Sequence, residues 1–446
     1  MDLCSEHMNC SDDPAHPQLL GVVVAILLRC VKMTIWLPLS LACLPPYILG
    51  LLVWGLPPIV SPWNRFCRYF IAAWTEGNKD ENIPLTNRIL VFLIVLGYMI
   101  KSPVYGVCWF IDELLYPSYH NFEPVEPVFF ITGVRSGSTQ LANYLEDDKD
   151  TFLVPTVQEG MYPFLWMWKL VGKNSWWIQR KLYGGEGKKH HNFDSSKTDS
   201  LDFFVRSWHF GGLSRYLGTS FMKWGFCYVP LDEPIDEWFC NNLLKFTDSI
   251  MRKIIYYRGK PGQRILIKGH FLIHAPVINK LYQGVKFFTV ARDPVERIFS
   301  TINYMKAVSM DGPVHFEFGL FPAPWKVVRN WSLQTQIIYC KREMMFYGQS
   351  DNNRRVIPFT MYVNNLCATL QGIYSFCNLS IPDHVVSNAV EIQITTHDRT
   401  KRKASYDSKF QKSLVDLGVD EVKLRDHLTS YINWMKKFEE EDKKYI

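Results

Sequence analysis

The junction at residues 128–145 narrows the choice of fold more than any other feature. A short apolar, β-rich run at 128–132 passes into the turn Gly133-Val-Arg-Ser-Gly-Ser-Thr139, and a helical stretch at 139–145 starts there. In such a turn the backbone N–H groups point inward and join the N-terminus of the helix, which makes an anion site. Gly133 and Gly137 allow the tight path and the close approach of a phosphate. The amides from Val134 onward, the hydroxyls of Ser136, Ser138 and Thr139, and the charge of Arg135 complete the donor set. The turn is one residue shorter than the G-x-x-x-x-G-K-[ST] of nucleoside triphosphatases, and no lysine follows Gly137. That argues against ATP or GTP hydrolysis while keeping the phosphate-binding logic.

Three further apolar runs, 264–267, 286–291 and 356–359, read as strands with helical segments between them. The expectation is an α/β fold, a parallel sheet flanked by helices. The run at 286–291 ends in Arg292-Asp-Pro294, and proline is favoured in the first turn of a helix. Arg292 thus stands at the carboxyl end of a strand, where open α/β sheets bind ligands. Ser300 lies about two turns into the next helix. Together they can clamp a second phosphate, with the guanidinium supplying a charge-assisted fork.

In these residues the chain resembles the sulfotransferases that use 3'-phosphoadenylyl sulfate (PAPS). The segment 133–139 is similar to their 5'-phosphosulfate loop, and Arg292-Asp-Pro-x-x-Arg-x-x-Ser300 to their 3'-phosphate motif. Lys268 resembles the lysine of their Lys-Ser-Pro segment. The basic run 397–403 resembles the loop that closes over the cofactor, with Lys401, Arg402 and Lys403 as candidate phosphate ligands. The likeness covers about residues 127–445 and is closest to the bacterial-type, carbohydrate and protein branch. The Glu-Asp pair that usually follows the strand at 355–359 is missing; Tyr362-Val-Asn-Asn365 stands there. The resemblance implies transfer of a sulfuryl group from PAPS without a metal, with Arg135 neutralising the bridging oxygen. Glu159 resembles the acidic residue placed soon after the loop and is the favoured base. His270 is the rival, because Lys268-Gly-His270 resembles a Lys-x-His of cytosolic members.

The N-terminal part has another character. Residues 1–18 are polar, and 19–60 are almost continuously apolar, broken by Arg29, Lys32 and five prolines. The run is too long for one span of ~20 residues. It is either two spans or a hairpin that enters and leaves one leaflet around Pro45-Pro46. After a linker at 61–88, a second apolar stretch at 89–115 is interrupted by Lys101 and Pro103. It reads as a span or as an amphipathic surface helix. The expected division is a membrane-anchoring region at 19–120 and a catalytic domain at 125–446, on an endomembrane such as Golgi or ER.

The net charge of +6 suits an anionic cofactor or membrane lipids. No basic stripe with interleaved aromatics and no zinc-finger spacing occurs, so nucleic acid is not an expected partner. Cys227 with Cys240, or Cys367 with Cys377, can form disulfides if the domain is luminal. Aromatic segments at 161–177 and 316–331 fit an amphiphilic small molecule, a lipid or a glycan as acceptor, through a hydroxyl more readily than an amine. Homo-oligomerisation is left open. The rival readings are a membrane scaffold with a degenerate nucleotide site and another P-loop-type transferase.

Overall fold

The computed structural model describes residues 19–75, 83–171, 197–198, 201, 231–232, 237–270, 272–310, 325–349, 351–402 and 413–442. Five strands form one sheet: β1 (Val128–Ile131), β2 (Phe152–Leu153), β3 (Arg264–Gly269), β4 (Lys286–Ala291) and β5 (Arg354–Pro358). Their order is β2-β3-β1-β4-β5, and every pairing is parallel. A parallel sheet is covered on both faces, so its strands read as continuous apolar runs. Alternate residues accordingly feed two separate cores. Phe129, Ile131, Ile267 and Phe287 face one, while Val128, Phe130, Leu266 and Phe288 face the other. Phe130 stacks on Phe288 with ring centroids 4.4 Å apart.

From the central β1 the chain leaves for the edge strand β2, returns through β3, and only then crosses to β4 and β5. The direction of travel reverses beside β1, which makes its carboxyl end the switch point of the sheet. The sequence places four of these strands within three residues of their ends. It misses β2, whose two residues are too few to carry a periodic signal.

Three helices precede the sheet: α1 (Leu19–Trp54), α2 (Trp63–Thr75) and α3 (Leu85–Leu115). α1 and α3 run parallel. The space beside Gly97 is closed by Met33, Ser40 Oγ donates to the Ile100 carbonyl, Tyr47 lies over Gly106, and Phe110 lies over Gly50. The α1 residues in this seam, 33, 40, 47 and 50, recur at steps of seven, seven and three, the heptad spacing of a left-handed helix pair. Other α1 residues are bare: Ile35, Leu41, Leu49 and Leu52 are all exposed. No charged side chain occurs from residue 33 to residue 64.

The last turns of α3 belong to the main core. The Asp112 carboxylate pairs with the Lys253 ammonium at 2.9 Å, and both are fully buried. It also accepts from the N–H groups of Leu165 and Trp166, at the start of the helix Leu165–Val171. Trp109 packs on Phe246. Packing is therefore continuous across residues 120–125, where composition changes.

The sheet is flanked by α4 (Ser138–Glu146), α5 (Val157–Met161), α6 (Leu165–Val171), α7 (Glu237–Arg258), α8 (Ala275–Leu281), α9 (Pro294–Met310) and α10 (Trp325–Tyr347). After β5 come α11 (Phe359–Asn364), α12 (Leu366–Phe376), α13 (Asp383–Arg402), α14 (Glu421–His427) and α15 (Thr429–Asp442). Cys367 and Cys377, one of the two pairs open to bridging in a luminal domain, are free thiols. Helix α12 separates them by about 15 Å of rise, beyond disulfide reach. Cys240 is also free, and Cys227 lies outside the described residues.

Candidate active site

The turn after β1 is stitched to both neighbouring strands. The Thr132 N–H donates to the Gly269 carbonyl at 3.3 Å, and its hydroxyl donates to the Val290 carbonyl at 3.2 Å. Two left-handed residues then follow, Arg135 at φ +68° and Gly137 at φ +80°. Glycine adopts this region freely; for arginine it costs about 1–2 kcal/mol. Two partners hold Arg135 there. Arg292 Nη1 donates to its carbonyl oxygen at 2.8 Å, and its own Nε donates to Ser300 Oγ at 3.1 Å. Its guanidinium lies 5.2 Å from the centre of the Tyr304 ring. The side chains of Phe359 and Tyr362 close off Gly137, where a Cβ would fall 3.0 Å from Tyr362. Arg292 in turn lies 4.5 Å from the Phe359 ring centre.

Beneath the turn, Lys268 Nζ donates to Thr139 Oγ1 at 2.6 Å. His270 Nδ1 is 2.5 Å from the Thr132 carbonyl oxygen. Because a carbonyl only accepts, Nδ1 carries the proton, and the neutral ring has its lone pair on Nε2. Ser136 Oγ is buried and has no hydrogen-bond partner. A buried hydroxyl in this state is unfavourable, and an oxygen-rich anion in the turn would satisfy it. The residues present therefore fit a phosphosulfate.

Arg297, the second arginine of the 292–300 motif, has a place that nothing in the sequence marks. Arg297 is fully buried under Gly133, where a Cβ would fall 2.5 Å from Nη1. Its Nη1 pairs with Glu343 at 2.9 Å, and Glu343 also accepts from Thr289 and Tyr431. Burial pulls the Arg297 pKa down, but Cys340, Tyr431 and Glu343 outweigh it and hold the guanidinium charged. Burial pushes the Cys340 thiol up to about 11. Glu343 stands 46 residues from Arg297 with no local pattern to mark it; only the packing of α10 on α9 brings the two together.

Glu159 is placed differently. It is buried in α5, where it closes a capping box with Thr156. Arg258 grips both of its oxygens, at 2.7 and 3.0 Å. Its bonds run to α7 and to its own helix start, whereas Arg135, Lys268, His270, Arg292 and Ser300 are joined at the β1 turn. Lys401 and Arg402 end α13, with side chains outside the described set, and Lys403 lies outside the described residues, as do 172–177 and 316–324 of the two aromatic segments.

Compared with solved structures, the chain is similar to sulfotransferase STF9 from Mycobacterium avium, at a TM-score of 0.59 and 12% identity, over 87% of this chain and 95% of that one. The fold is the sulfotransferase fold. It is likewise similar to sulfotransferase STF1 from Mycobacterium tuberculosis H37Rv, at a TM-score of 0.52 and 13% identity, over 86% of this chain and 97% of that one. No protein-family model matches the sequence, and no curated protein does. In the sulfotransferase fold of this chain, the turn after β1 and the end of β4 meet at the switch point of the sheet.

Proposed function

We propose that the chain is a membrane-seated sulfotransferase that moves the sulfuryl group of PAPS to a hydroxyl, less readily an amine, of a lipid-like or glycan acceptor. The observation that carries this reading is the convergence of Arg135, Arg292 and Ser300, which come from two segments about 160 residues apart and are hydrogen-bonded to one another. PAPS, when bound, supplies an activated sulfuryl group whose transfer leaves an anionic phosphate.

The chain's own residues supply the rest. The amides of the turn, with Ser136, Ser138 and Thr139, bind the 5'-phosphate. Arg135 and Lys268 offset the charge that develops on the leaving oxygen. Arg292 and Ser300 bind the 3'-phosphate, and the family resemblance makes Lys401, Arg402 and Lys403 the candidates for its further ligands. The base is a choice between Glu159 and His270. The grip of Arg258 on Glu159 favours His270, whose Nε2 can take the acceptor proton.

The bare apolar face of α1 supports a membrane seat, with α3 as its packed support. The proposed setting is an endomembrane such as Golgi or ER. The deciding experiment is binding of the product bisphosphate (PAP) to the detergent-purified chain. Tight binding to wild type that is lost in Arg292→Ala supports the proposal; no binding to a folded wild type would sink it. Transfer of labelled sulfate from PAPS to lipid or glycan fractions then identifies the acceptor.

A further inference from the structure

We propose that α1 does not cross the bilayer but lies along one leaflet, with its axis in the plane of the membrane and both chain ends on the side of the catalytic domain. The inference rests on the membrane reading of α1 and specifies how the chain meets the lipid.

Composition alone fits a crossing. The uncharged stretch 33–54 of α1 is about 33 Å long, enough for the ~30 Å hydrocarbon core of a bilayer. Its neighbours stand against that arrangement. Tyr47 lies over Gly106, Phe110 lies over Gly50, and Trp54 stacks on Phe110 with ring centroids 5.5 Å apart, so the second half of α1 runs beside residues 106–110 of α3. The same turns of α3 are packed into the catalytic domain: Tyr105 stacks on Phe164 at 6.3 Å, Trp109 meets Phe246 at 5.8 Å, and Asp112 pairs with Lys253. The other half of α3 is held by α2, where Phe70 meets Phe92 at 4.9 Å and Arg88 Nη1 donates to the carbonyls of Ala73 and Trp74. α2 is fastened to the domain at its start, with Arg65 lying 5.0 Å from the Trp238 ring centre. It is only about 20 Å long, and it exposes Asn64 and Arg68. A bilayer crossed by α1 would have to enclose α2, its exposed arginine and the adjoining edge of the catalytic core, at a cost that charged groups in hydrocarbon make prohibitive.

The surface left bare suits lipid rather than a protein partner. From residue 33 to residue 50, only positions 33, 36, 40, 43, 47 and 50 are shielded, a single stripe at heptad spacing, and every other position is exposed. A protein partner covers one face of a helix, whereas hydrocarbon wraps all of its free sides. The stretch has no charged residue to form the polar rim of a protein interface. Its two aliphatic hydroxyls are turned onto backbone carbonyls, Thr34 onto Val31 at 2.7 Å and Ser40 onto Ile100, as a medium without water requires. The helix also continues through Pro38, Pro45 and Pro46, which membrane helices tolerate.

The test uses the full chain with a tag at each end, synthesised in the presence of sealed microsomes. Wild type is expected to stay with the membrane through alkaline washing, and added protease to remove both tags or neither. Because α1 and α3 run parallel, a crossing by either leaves the two ends on opposite sides, so removal of one tag alone overturns the proposal. Leu41→Asp with Leu49→Asp, both at exposed positions, should lower membrane association by on the order of 100-fold while PAP binding is kept. Full retention of that double variant overturns α1 as the lipid contact. A wild type that stays in solution as a dimer, and that the double variant returns to monomer, assigns the face to a second copy and overturns the lipid assignment. A soluble, monomeric wild type overturns the membrane reading and the leaflet seat together. PAP binding depends on neither and tests the sulfotransferase reading separately.

Discussion

Arg292 Nη1 donates to the carbonyl oxygen of Arg135 at 2.8 Å, tying the carboxyl end of β4 to the turn after β1. One side chain thereby shapes the turn, and in the proposed function it also binds the second phosphate. Replacing Arg292 with alanine should weaken PAP binding by about 10- to 100-fold, the worth of a charged hydrogen bond. Arg292→Lys should recover only part, since an ammonium cannot reproduce the fork. Isothermal titration measures both.

Gly133 faces the pinned guanidinium of Arg297 at a distance that leaves no room for a methyl group. Gly133→Ala should lower stability by about 1–3 kcal/mol, the range for overpacking. It should also abolish the rise in Tm on adding PAP, because the turn must shift. Denaturant unfolding and thermal melts check the two effects separately.

Asp112 neutralises Lys253 and opens α6, so its loss strands a buried ammonium and two N–H groups. Asp112→Ala should destabilise by about 3–5 kcal/mol. Combined with Lys253→Met, the loss should shrink, because the stranded charge is gone. If the double variant is as unstable as the sum of the singles, the pair is not coupled.

Glu159 and His270 should separate in kinetics. Glu159→Gln breaks the ion pair with Arg258 and should lower Tm more than kcat. His270→Ala should lower kcat by about 10²- to 10⁴-fold while PAP still binds. The reverse pattern would return the base to Glu159.

Burial raises the pKa of Glu146 above its ordinary 4.5, although the Thr198 N–H and nearby cations oppose it. A raised folded pKa contributes stability at low pH that is lost as pH rises through the folded value. Glu146→Gln should therefore gain on wild type progressively above pH 4.5, as unfolding at a series of pH values would reveal.

The turn 133–139, the strand ending at Arg292 and the apolar N-terminal region were legible in the residues themselves, because each is set by short-range rules. Glycines permit a backbone path, an apolar run demands burial, and proline starts a helix. Which distant groups meet was not legible. Glu343 under Arg297, Lys253 under Asp112, and Arg258 on Glu159 are joined by the packing of helices far apart in sequence. That last pairing changes the reading of Glu159, which local likeness presented as a base. The chain's own order of residues determined the turn after β1 and the strand that ends beside it; only the tertiary structure decided which charges surround them, because ion pairs form through space and leave no periodic trace along a chain.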